Sequence, residues 1–330
     1  MSKVTIEDIS RHTGLSRGTV SRALNDRPDI SQATKNKVLE ACRQLNYVPS
    51  HAARSLATGR AYAVAVLLHD LRAAFDADFL RGAIARAQSD HYAVIVLESA
   101  ADREASLQHV AGLARERVDA VLVATPAIST LPAALTEAFA RRPMVAAVTV
   151  SGVACDVMAP DMIESGRLVG RRLLRDGVSD VLYVHNPSAT GAADRLAGFH
   201  EICRERHVDA GAVTLTVSGQ QDPAWAGVAA RLAGLRAVAG SDDYVALQLM
   251  LVARGAGRTP GRDLAVVGQG NEPVTQCIEP GLTSVDLAGE EIGRRAMDLA
   301  LQRVNKARMD APQSIYVAPT LIERGSTACL

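Results

Sequence analysis

The sequence predicts an α/β protein with a small helical unit at its N-terminus and a larger body of parallel sheets. Helix and turn signals fill the first 60 residues, and apolar strands then alternate with amphipathic helices along the rest of the chain. Apolar residues make up 48% of the chain and aromatic residues only 3%, which suits aliphatic parallel sheets covered by helices. A chain of 330 residues should divide into two or three domains.

The N-terminal segment carries the pattern of two short helices joined by a tight turn. Thr5 is expected to cap the first helix, with an acidic residue three positions later as in a capping box. Gly14 ends that helix, and Ser16 caps a second helix whose Val20 and Leu24 point back at the first. Two such helices form a helix-turn-helix, in which the second helix enters a DNA major groove. An ordinary helical hairpin within a larger core is the alternative.

A third helix should begin at Ser31 and close a three-helix unit, with Val38, Cys42 and Leu45 on its apolar face. The segments TIEDIS, GLSRGTVSRALN, LNYVPS and ARSL, in this order and spacing, resemble the LacI family of bacterial transcription regulators. The resemblance extends over nearly the whole chain. It implies a three-helix helix-turn-helix headpiece and a two-lobed body, like a periplasmic binding protein, with doubly wound parallel sheets.

The resemblance places base-contacting residues early in the second helix, at Arg17, Gly18 and Arg22. Because Gly18 has no side chain, Arg17 should carry more of the specificity, as a bidentate partner of guanine. A phosphate contact is the alternative for Arg17. The other headpiece candidates are expected to hold phosphates or to cap helices, and they are Thr5, Ser16, Thr19, Ser21 and Asn25.

The segment 51–58 is too short to form a stable helix alone, since isolated helices below ~12 residues are marginal in water. The resemblance implies a hinge helix near 50–58 that forms on operator DNA. Leu56, beside Arg54, would then wedge into the minor groove. Leu56 as a core residue of the first lobe is the alternative. The DNA-binding domain is therefore expected to span residues 1–60.

From residue 61 to 330 the pattern predicts strands and helices in alternation, and hence right-handed crossovers. The strands expected are 63–68, 92–97, 120–124, 144–148, 181–184, 213–217, 237–239, 264–267, 282–285 and a sheet edge at 314–323. The helices expected are 79–89, 105–115, 131–140, 161–175, 195–206, 224–235, 243–254 and 289–304. By resemblance, lobe one takes about 61–158 plus 286–313, and lobe two about 159–285 plus 316–330.

A ligand cleft is expected between the lobes, lined by loops at the strand ends. The effector-binding candidates are Phe75, Asp76, Arg195, Asp242, Gln269 and Asn271. Relatives usually carry an Asp that grips sugar hydroxyls where this chain has Gly270. Its absence removes a negative charge and favours an anionic effector facing Arg195, such as a sugar acid or sugar phosphate. A neutral sugar is the second candidate; loss of ligand binding, with Arg195 only tying loops together, is the remaining alternative.

The formal net charge of zero hides an asymmetry. Residues 1–60 hold ten Lys or Arg against five Asp or Glu, and the remainder holds 26 against 31. A basic end fits contact with a polyanion. Five widely spaced cysteines without a CxxC pair predict reduced thiols in the cytosol rather than a zinc site. Without an apolar signal core or an apolar run near ~18 residues, we expect a cytoplasmic protein with no membrane partner.

An enzyme is the competing class, but the sequence lacks GxSxG, a Walker loop and HExxH. Gly268 and Gly270 follow a strand without the third glycine of a dinucleotide-binding loop. The carboxylate pairs at 76 and 78 and at 242 and 243 leave a metal or acid-base site open, although solvation or polyol binding is favoured. The alternatives are therefore a cytoplasmic α/β enzyme or a sugar-binding protein, each acting on a small polyol.

The sequence thus favours a LacI-type regulator, more specifically a repressor, with no catalytic site, metal or cofactor. Its expected partners are double-stranded, palindromic operator DNA, a small sugar-like effector that modulates DNA affinity, and a second copy of the chain. No heptad tail follows the LIERGST segment before Leu330, so a homodimer rather than a tetramer is expected.

Overall fold

The computed structural model describes residues 4–24, 27–47, 59–99, 118–125, 142–148, 154–175, 177–219 and 221–330, with the helical residues Ala105, Gln108 and Gly112. The chain divides into two compact units, residues 1–60 and 61–330. The expected helix at 131–140, most of that at 105–115 and the hinge near 50–58 lie outside the described residues.

The described part of the N-terminal unit contains three helices: α1 (Ile6–Thr13), α2 (Arg17–Leu24) and α3 (Gln32–Gln44). The predicted caps are confirmed, since Thr5 is the N-cap of α1 and Ser31 accepts the Thr34 N–H at 3.3 Å before α3. Gly14 ends α1 with φ +69°, a backbone conformation that glycine adopts without strain. The predicted apolar faces meet in one core that includes Ile9, Val20, Val38 and Cys42.

The first lobe of the body contains a six-stranded parallel sheet. Its strands are β1 (Ala63–Leu68), β2 (Ala93–Glu98), β3 (Ala120–Ala124), β4 (Met144–Ala146), β5 (Asp156–Pro160) and a late strand, β11 (Ser314–Val317). Their order in the sheet is β11-β5-β4-β3-β1-β2. The helices α4 (Ala74–Ser89) and α9 (Gly289–Val304) pack on one face.

The second lobe repeats this plan with helices on both faces. Its strands are β6 (Val181–His185), β7 (Thr214–Thr216), β8 (Ala237–Gly240), β9 (Ala265–Gln269), β10 (Thr283–Asp286) and β12 (Thr320–Ile322), in the order β12-β10-β9-β8-β6-β7. All described pairs are parallel except that of β12 with β10. The helices α5 (Met162–Leu173) and α6 (Ala192–Glu205) cover one face, and α7 (Ala224–Arg231) and α8 (Asp243–Gly255) the other.

Two features at the lobe boundaries differ from expectation. The segment 314–323 is not one sheet edge, because β11 pairs with β5 in the first sheet and β12 with β10 in the second. Pro319 separates the two strands, since its nitrogen has no hydrogen to donate to a sheet. The sequence pattern also misses β5, a short strand with an acidic residue at one end and Pro160 at the other. Residues 159–160 and 316–317 therefore belong to the first lobe.

Glycines set the spacing between helices in both lobes. A Cβ on Gly166 would lie 1.8 Å from the carbonyl oxygen of Arg195, and one on Gly198 would lie 1.9 Å from a backbone oxygen of α5. No side chain fits at such distances, so α5 and α6 touch backbone to backbone. Gly82 and Gly293 make the same contact between α4 and α9. The close approach in the second lobe fixes the start of α6, which carries Arg195.

Candidate functional site

The second helix of the N-terminal unit has one buried face and one polar face. Val20 and Ala23 are buried in the three-helix core, and their spacing of three places them on one side of α2. Arg17 makes no hydrogen bond or ion pair with the other described residues, so its guanidinium is available to a nucleic acid. The exposed predicted residues of α2 are Arg17, Gly18 and Arg22, and the half-buried ones are Thr19 and Ser21.

Short polar side chains around α1 and α2 act as caps within the unit. Ser16 Oγ accepts the backbone N–H of Thr19 at 3.1 Å and lies 2.9 Å from Thr19 Oγ1. Thr5 donates its backbone N–H and its hydroxyl to Asp8 Oδ2, each at 2.8 Å. The hydrogen bond from the Thr5 backbone N–H holds the pKa of the Asp8 carboxyl below its usual range. These contacts stabilise the helix starts, and phosphate contacts by the same residues stay a prediction.

Among the described residues, Arg22 forms an ion pair with one carboxylate, that of Asp29. Its Nη1 lies 3.4 Å from Asp29 Oδ2, and both side chains are more than half exposed. An exposed ion pair of this kind contributes about 1 kcal/mol at most, so DNA can displace it. Asn25, Arg54 and Leu56 lie outside the described residues, and their DNA contacts also stay predictions.

A cavity of about 310 Å³ lies between the two lobes of the body. The first lobe contributes His69, Phe75 and Asp76, and the second lobe contributes residues from α6, from the start of α8 and from the end of β9. The predicted residues that line it are Phe75, Asp76, Arg195, Asp242 and Gln269, together with Gly270.

Arg195 is the one permanently charged cation among the described residues that line this cleft. Its side chain is 5% exposed, Nη1 donates to the Ser241 carbonyl at 2.7 Å, and the buried Nε has no partner among the described residues. Burial lowers the pKa of the Arg195 guanidinium. An unpaired buried donor leaves a hydrogen bond available to a ligand oxygen.

Asp76 lies on the first turn of α4 rather than on a loop, because that helix begins at Ala74, five residues earlier than predicted. Its Oδ2 accepts the backbone N–H groups of His69 and Asp70, each at 2.8 Å. Burial raises the pKa of Asp76 to about 6. The carboxylate therefore holds the loop after β1 in place and keeps its second oxygen for other contacts.

Asp242 and Asp243 have different roles at the start of α8. Asp242 Oδ1 caps the helix by accepting the Val245 N–H at 2.8 Å. Asp243 is fully buried, accepts the Ser284 hydroxyl at 2.6 Å and the Glu272 N–H at 2.7 Å, and has a pKa raised to about 6 by burial. A Cβ on Gly270 would lie 3.3 Å from Asp243 Oδ2. A carboxylate is thus already present next to the position where relatives carry their Asp.

Comparison with known proteins matches both units. Residues 5–50 match the model of bacterial regulatory proteins, lacI family, and residues 171–327 match a periplasmic binding protein-like domain. The HTH-type transcriptional repressor PurR of Edwardsiella ictaluri is 29% identical over 335 residues, which cover 98% of this chain and 97% of that protein.

Solved structures share the fold of the whole chain. The lac repressor dimer bound to operator and the anti-inducer ONPF has a TM-score of 0.79 at 22% identity and covers 99% of both chains. The transcriptional regulator CelR in complex with cellobiose has a TM-score of 0.68 at 23% identity, with 98% of this chain and 100% of that chain covered. Residues 5–50 thus form a helix-turn-helix domain of the LacI family, and a periplasmic binding protein-like domain follows it. The chain is a DNA-binding transcription regulator, and the predicted fold class is confirmed.

Gln269 holds the second-lobe side of the cleft in place. It is 1% exposed, its Oε1 accepts the Ser165 hydroxyl at 2.7 Å, and its Nε2 donates to Tyr183 Oη at 3.0 Å and to the Gly240 carbonyl at 3.2 Å. Burial raises the pKa of Tyr183 to about 12, so that phenol stays neutral. Since the amide is already bonded within the second lobe, Gln269 positions other groups rather than offering polar atoms to a ligand.

Asn271 is not brought to the cleft, in contrast to the prediction. Its Nδ2 donates to Asp286 at 2.7 Å and its Oδ1 accepts from Arg324 at 2.7 Å, so the side chain ties together the strands where the chain passes between lobes. The next residue, Glu272, lines the cleft instead. The cleft residues that the sequence analysis missed include His69, Asn186, Ser188, Thr190, Tyr244 and Glu272.

Two further observations bear on other site types. Within the described ranges, no group of three His, Cys, Asp or Glu side chains is arranged to hold a metal ion. No helix in the described part of the chain is long and apolar enough to cross a membrane.

Proposed function

We propose that the chain is a repressor that binds a pseudo-palindromic operator as a homodimer, and that a small polar effector in the interlobe cleft changes its DNA affinity. The observation that carries the DNA part is the exposed cationic face of α2. Arg17 and Arg22 lie opposite the buried Val20 and Ala23, at the position where a helix-turn-helix contacts base edges. The relatives named as repressors and the lac repressor dimer bound to operator support the same proposal.

The hinge part of the proposal concerns Leu56 and Arg54. Wedging of Leu56 between base steps would cost a few kcal/mol of unstacking and would permit a bend that adds contacts. Since DNA is the target, we place the protein in the bacterial cytoplasm.

The effector part rests on the cleft, which is lined by both lobes and contains the unpaired Nε of Arg195. The sequence favours a sugar acid or sugar phosphate because Gly270 lacks a carboxylate. The structure weakens that argument, since Asp243 Oδ2 lies 3.3 Å from where a Cβ on Gly270 would be. An oxygen-rich small molecule therefore remains the proposal, with a neutral sugar, like the cellobiose in the CelR complex, as one form of it.

Mobility-shift titration against the gene's own upstream DNA tests the DNA-binding function. Specific binding should fall steeply as salt rises, because phosphate contacts release counterions. Removal of residues 1–60 should abolish binding, and operator binding by that truncation would contradict the assignment. Leu56→Ser should weaken specific binding far more than nonspecific binding; equal losses would show that Leu56 is not a wedge.

Arg17→Ala tests base contact against phosphate contact. Loss of a bidentate guanine contact should cost about 1–3 kcal/mol at one operator position and relax specificity there. Arg43→Ala is the matched control, because Arg43 is 74% exposed and its loss removes the same charge from α3. A uniform loss on all DNA sequences for Arg17→Ala would assign that residue to phosphate instead.

Sedimentation velocity tests the assembly. A dimer is expected at micromolar concentration, since two headpieces are needed for two half-sites. A stable tetramer or a monomer under those conditions would contradict the dimer.

A further inference from the structure

The interlobe cleft has an excess of negative charge among the described residues. Three carboxylates line it, those of Asp76, Asp242 and Glu272, against the single guanidinium of Arg195. Asp243 adds a fourth carboxyl directly behind Gly270. The N-termini of α4, α6 and α8 all lie at the cleft, and each offsets at most about half a charge, so the balance stays negative. Electrostatics therefore disfavour a ligand that is only anionic.

Two of these carboxylates are next to the first turn of α4, and within the described residues each has one oxygen without a hydrogen-bond donor. Glu272 Oε1 accepts the Ala74 N–H at 3.0 Å, and Asp76 lies on that same first turn of α4. Asp76 uses Oδ2 for the loop after β1. Among the described residues, nothing donates to Glu272 Oε2 or to Asp76 Oδ1. These two oxygens are the acceptors that a ligand can use.

The negative charges of Asp76 and Glu272 are costly without a nearby cation. Burial raises the pKa of Asp76 to about 6. Burial also raises the pKa of Glu272, with further repulsion from Asp242, Asp78 and Asp70. Arg72 pairs with Asp70 but is 86% exposed and does not line the cavity. A positive group placed beside the carboxylates would relieve both burial and repulsion.

Arg195 independently indicates that a ligand enters this cleft. The side chain is 95% buried, yet Nε has no partner and no carboxylate forms an ion pair with the guanidinium within the described residues. A buried donor in this state is satisfied by a ligand hydroxyl or carbonyl oxygen. The ligand must therefore present an oxygen to the second lobe as well as a group that suits the carboxylates.

We propose that the effector carries an ammonium group, held by the carboxylates of Asp76 and Glu272, together with oxygens that accept from Arg195. This inference rests on the proposed function, because it names the chemical class of the ligand in the same cleft. An amino sugar has both groups on a skeleton small enough for a cavity of about 310 Å³. A polyamine would satisfy the carboxylates but not Arg195.

Calorimetric titration of the full-length protein with matched hexoses tests the inference. The probes are glucosamine, glucose, N-acetylglucosamine and glucuronate, with the corresponding galactose series. At least one amino sugar should bind about tenfold tighter than its neutral, acetylated and acidic counterparts, as expected for one charge-assisted pair. Glu272→Gln should reduce that preference to less than about threefold, because the amide keeps the bond from Ala74 but loses the charge.

Glu205→Gln is the control, since Glu205 is an exposed carboxylate on α6 outside the cleft, and it should keep the full preference. Tighter binding of a neutral or acidic sugar than of its amino counterpart overturns the inference. It is equally overturned if no amino sugar binds, or if Glu272→Gln retains the preference. Operator binding measured both without and with each sugar separates the two proposals, because loss of the ammonium preference leaves DNA binding intact, whereas absence of operator binding under every one of these conditions contradicts the regulator itself.

Discussion

The variant Gly270→Asp tests whether Asp243 already supplies the negative charge next to the loop that follows β9. Gly270 has φ +133°, and its added Cβ would lie 3.3 Å from Asp243 Oδ2. Any side chain there should cost about 1–3 kcal/mol of backbone strain. Gly270→Ala measures that cost alone, and Gly270→Asp adds a second carboxylate beside the buried one.

The added repulsion can be bounded from the structure. Two unit charges 4 Å apart at an effective dielectric of about 20 repel by about 4 kcal/mol. Burial already raises the pKa of Asp243 to about 6, so one carboxyl will take up a proton before the full repulsion develops. Gly270→Asp should therefore be about 1–3 kcal/mol less stable than Gly270→Ala at neutral pH, and the gap should nearly vanish well below the pKa of Asp243.

Urea unfolding followed by Trp225 fluorescence is a suitable assay, because Trp225 is the single tryptophan of the chain and is buried in the second lobe. The three proteins are compared at about pH 7.5 and about pH 4.5. Equal stability of the Asp and Ala variants at the higher pH would refute the idea that Asp243 supplies the charge at this position. A gap that does not change with pH would refute the electrostatic explanation.

Two further predictions concern the packing and the charges around the cleft. Gly166→Ala should destabilise the body by about 3 kcal/mol or more, because its Cβ would lie 1.8 Å from the Arg195 carbonyl oxygen. The control Gly255→Ala, whose Cβ would have nothing within 4 Å, should be neutral or stabilising by up to about 1 kcal/mol. Similar urea midpoints for the two variants would contradict this expectation. Asp76 has a folded pKa raised to about 6, so its contribution to stability is greatest below the unfolded pKa of about 4 and is lost as pH rises through 6. The stability of the wild type relative to Asp76→Asn should fall by up to about 3 kcal/mol between pH 4 and 7, and a difference independent of pH would show that Asp76 is not desolvated.

Elements with a strong periodic signal could be predicted closely. The strand Ala63–Leu68 and the helix Gly289–Val304 have the predicted bounds, because the strand is a continuous buried apolar run and the helix buries apolar residues at helical spacing. The start of α4 could not be predicted, since its N-cap is Ala73, which has no side chain able to cap. The apolar residues of α4 that precede Phe79 also follow a loop directly, and no sequence signal marks where the loop ends and the helix begins.

The cleft could be predicted in part, for a physical reason. Arg195 and Asp242 stand at strand or helix ends within one lobe, so local pattern is enough to place them. Glu272 lines the cleft because its carboxylate reaches Ala74 of the opposite lobe, and that contact depends on how the chain folds between two residues that are 198 positions apart. Likewise, the place of Asp243 beside Gly268 and Gly270 follows from packing of α8 on β9 and not from spacing in the sequence.

The contacts across the cleft determine how a ligand can change the arrangement of the two lobes. Asp76 and Arg195 belong to different lobes, and the bond of 3.0 Å from Ala74 N to Glu272 Oε1 joins the lobes directly at the rim. A ligand shifts an equilibrium between lobe arrangements only by as much as it binds one arrangement better than the other. A molecule that contacts Arg195 alone would gain the same hydrogen bonds in every arrangement and would change nothing. A molecule that also binds Asp76 of the first lobe loses one set of contacts if the lobes separate, so its binding energy favours the arrangement in which both lobes contact it.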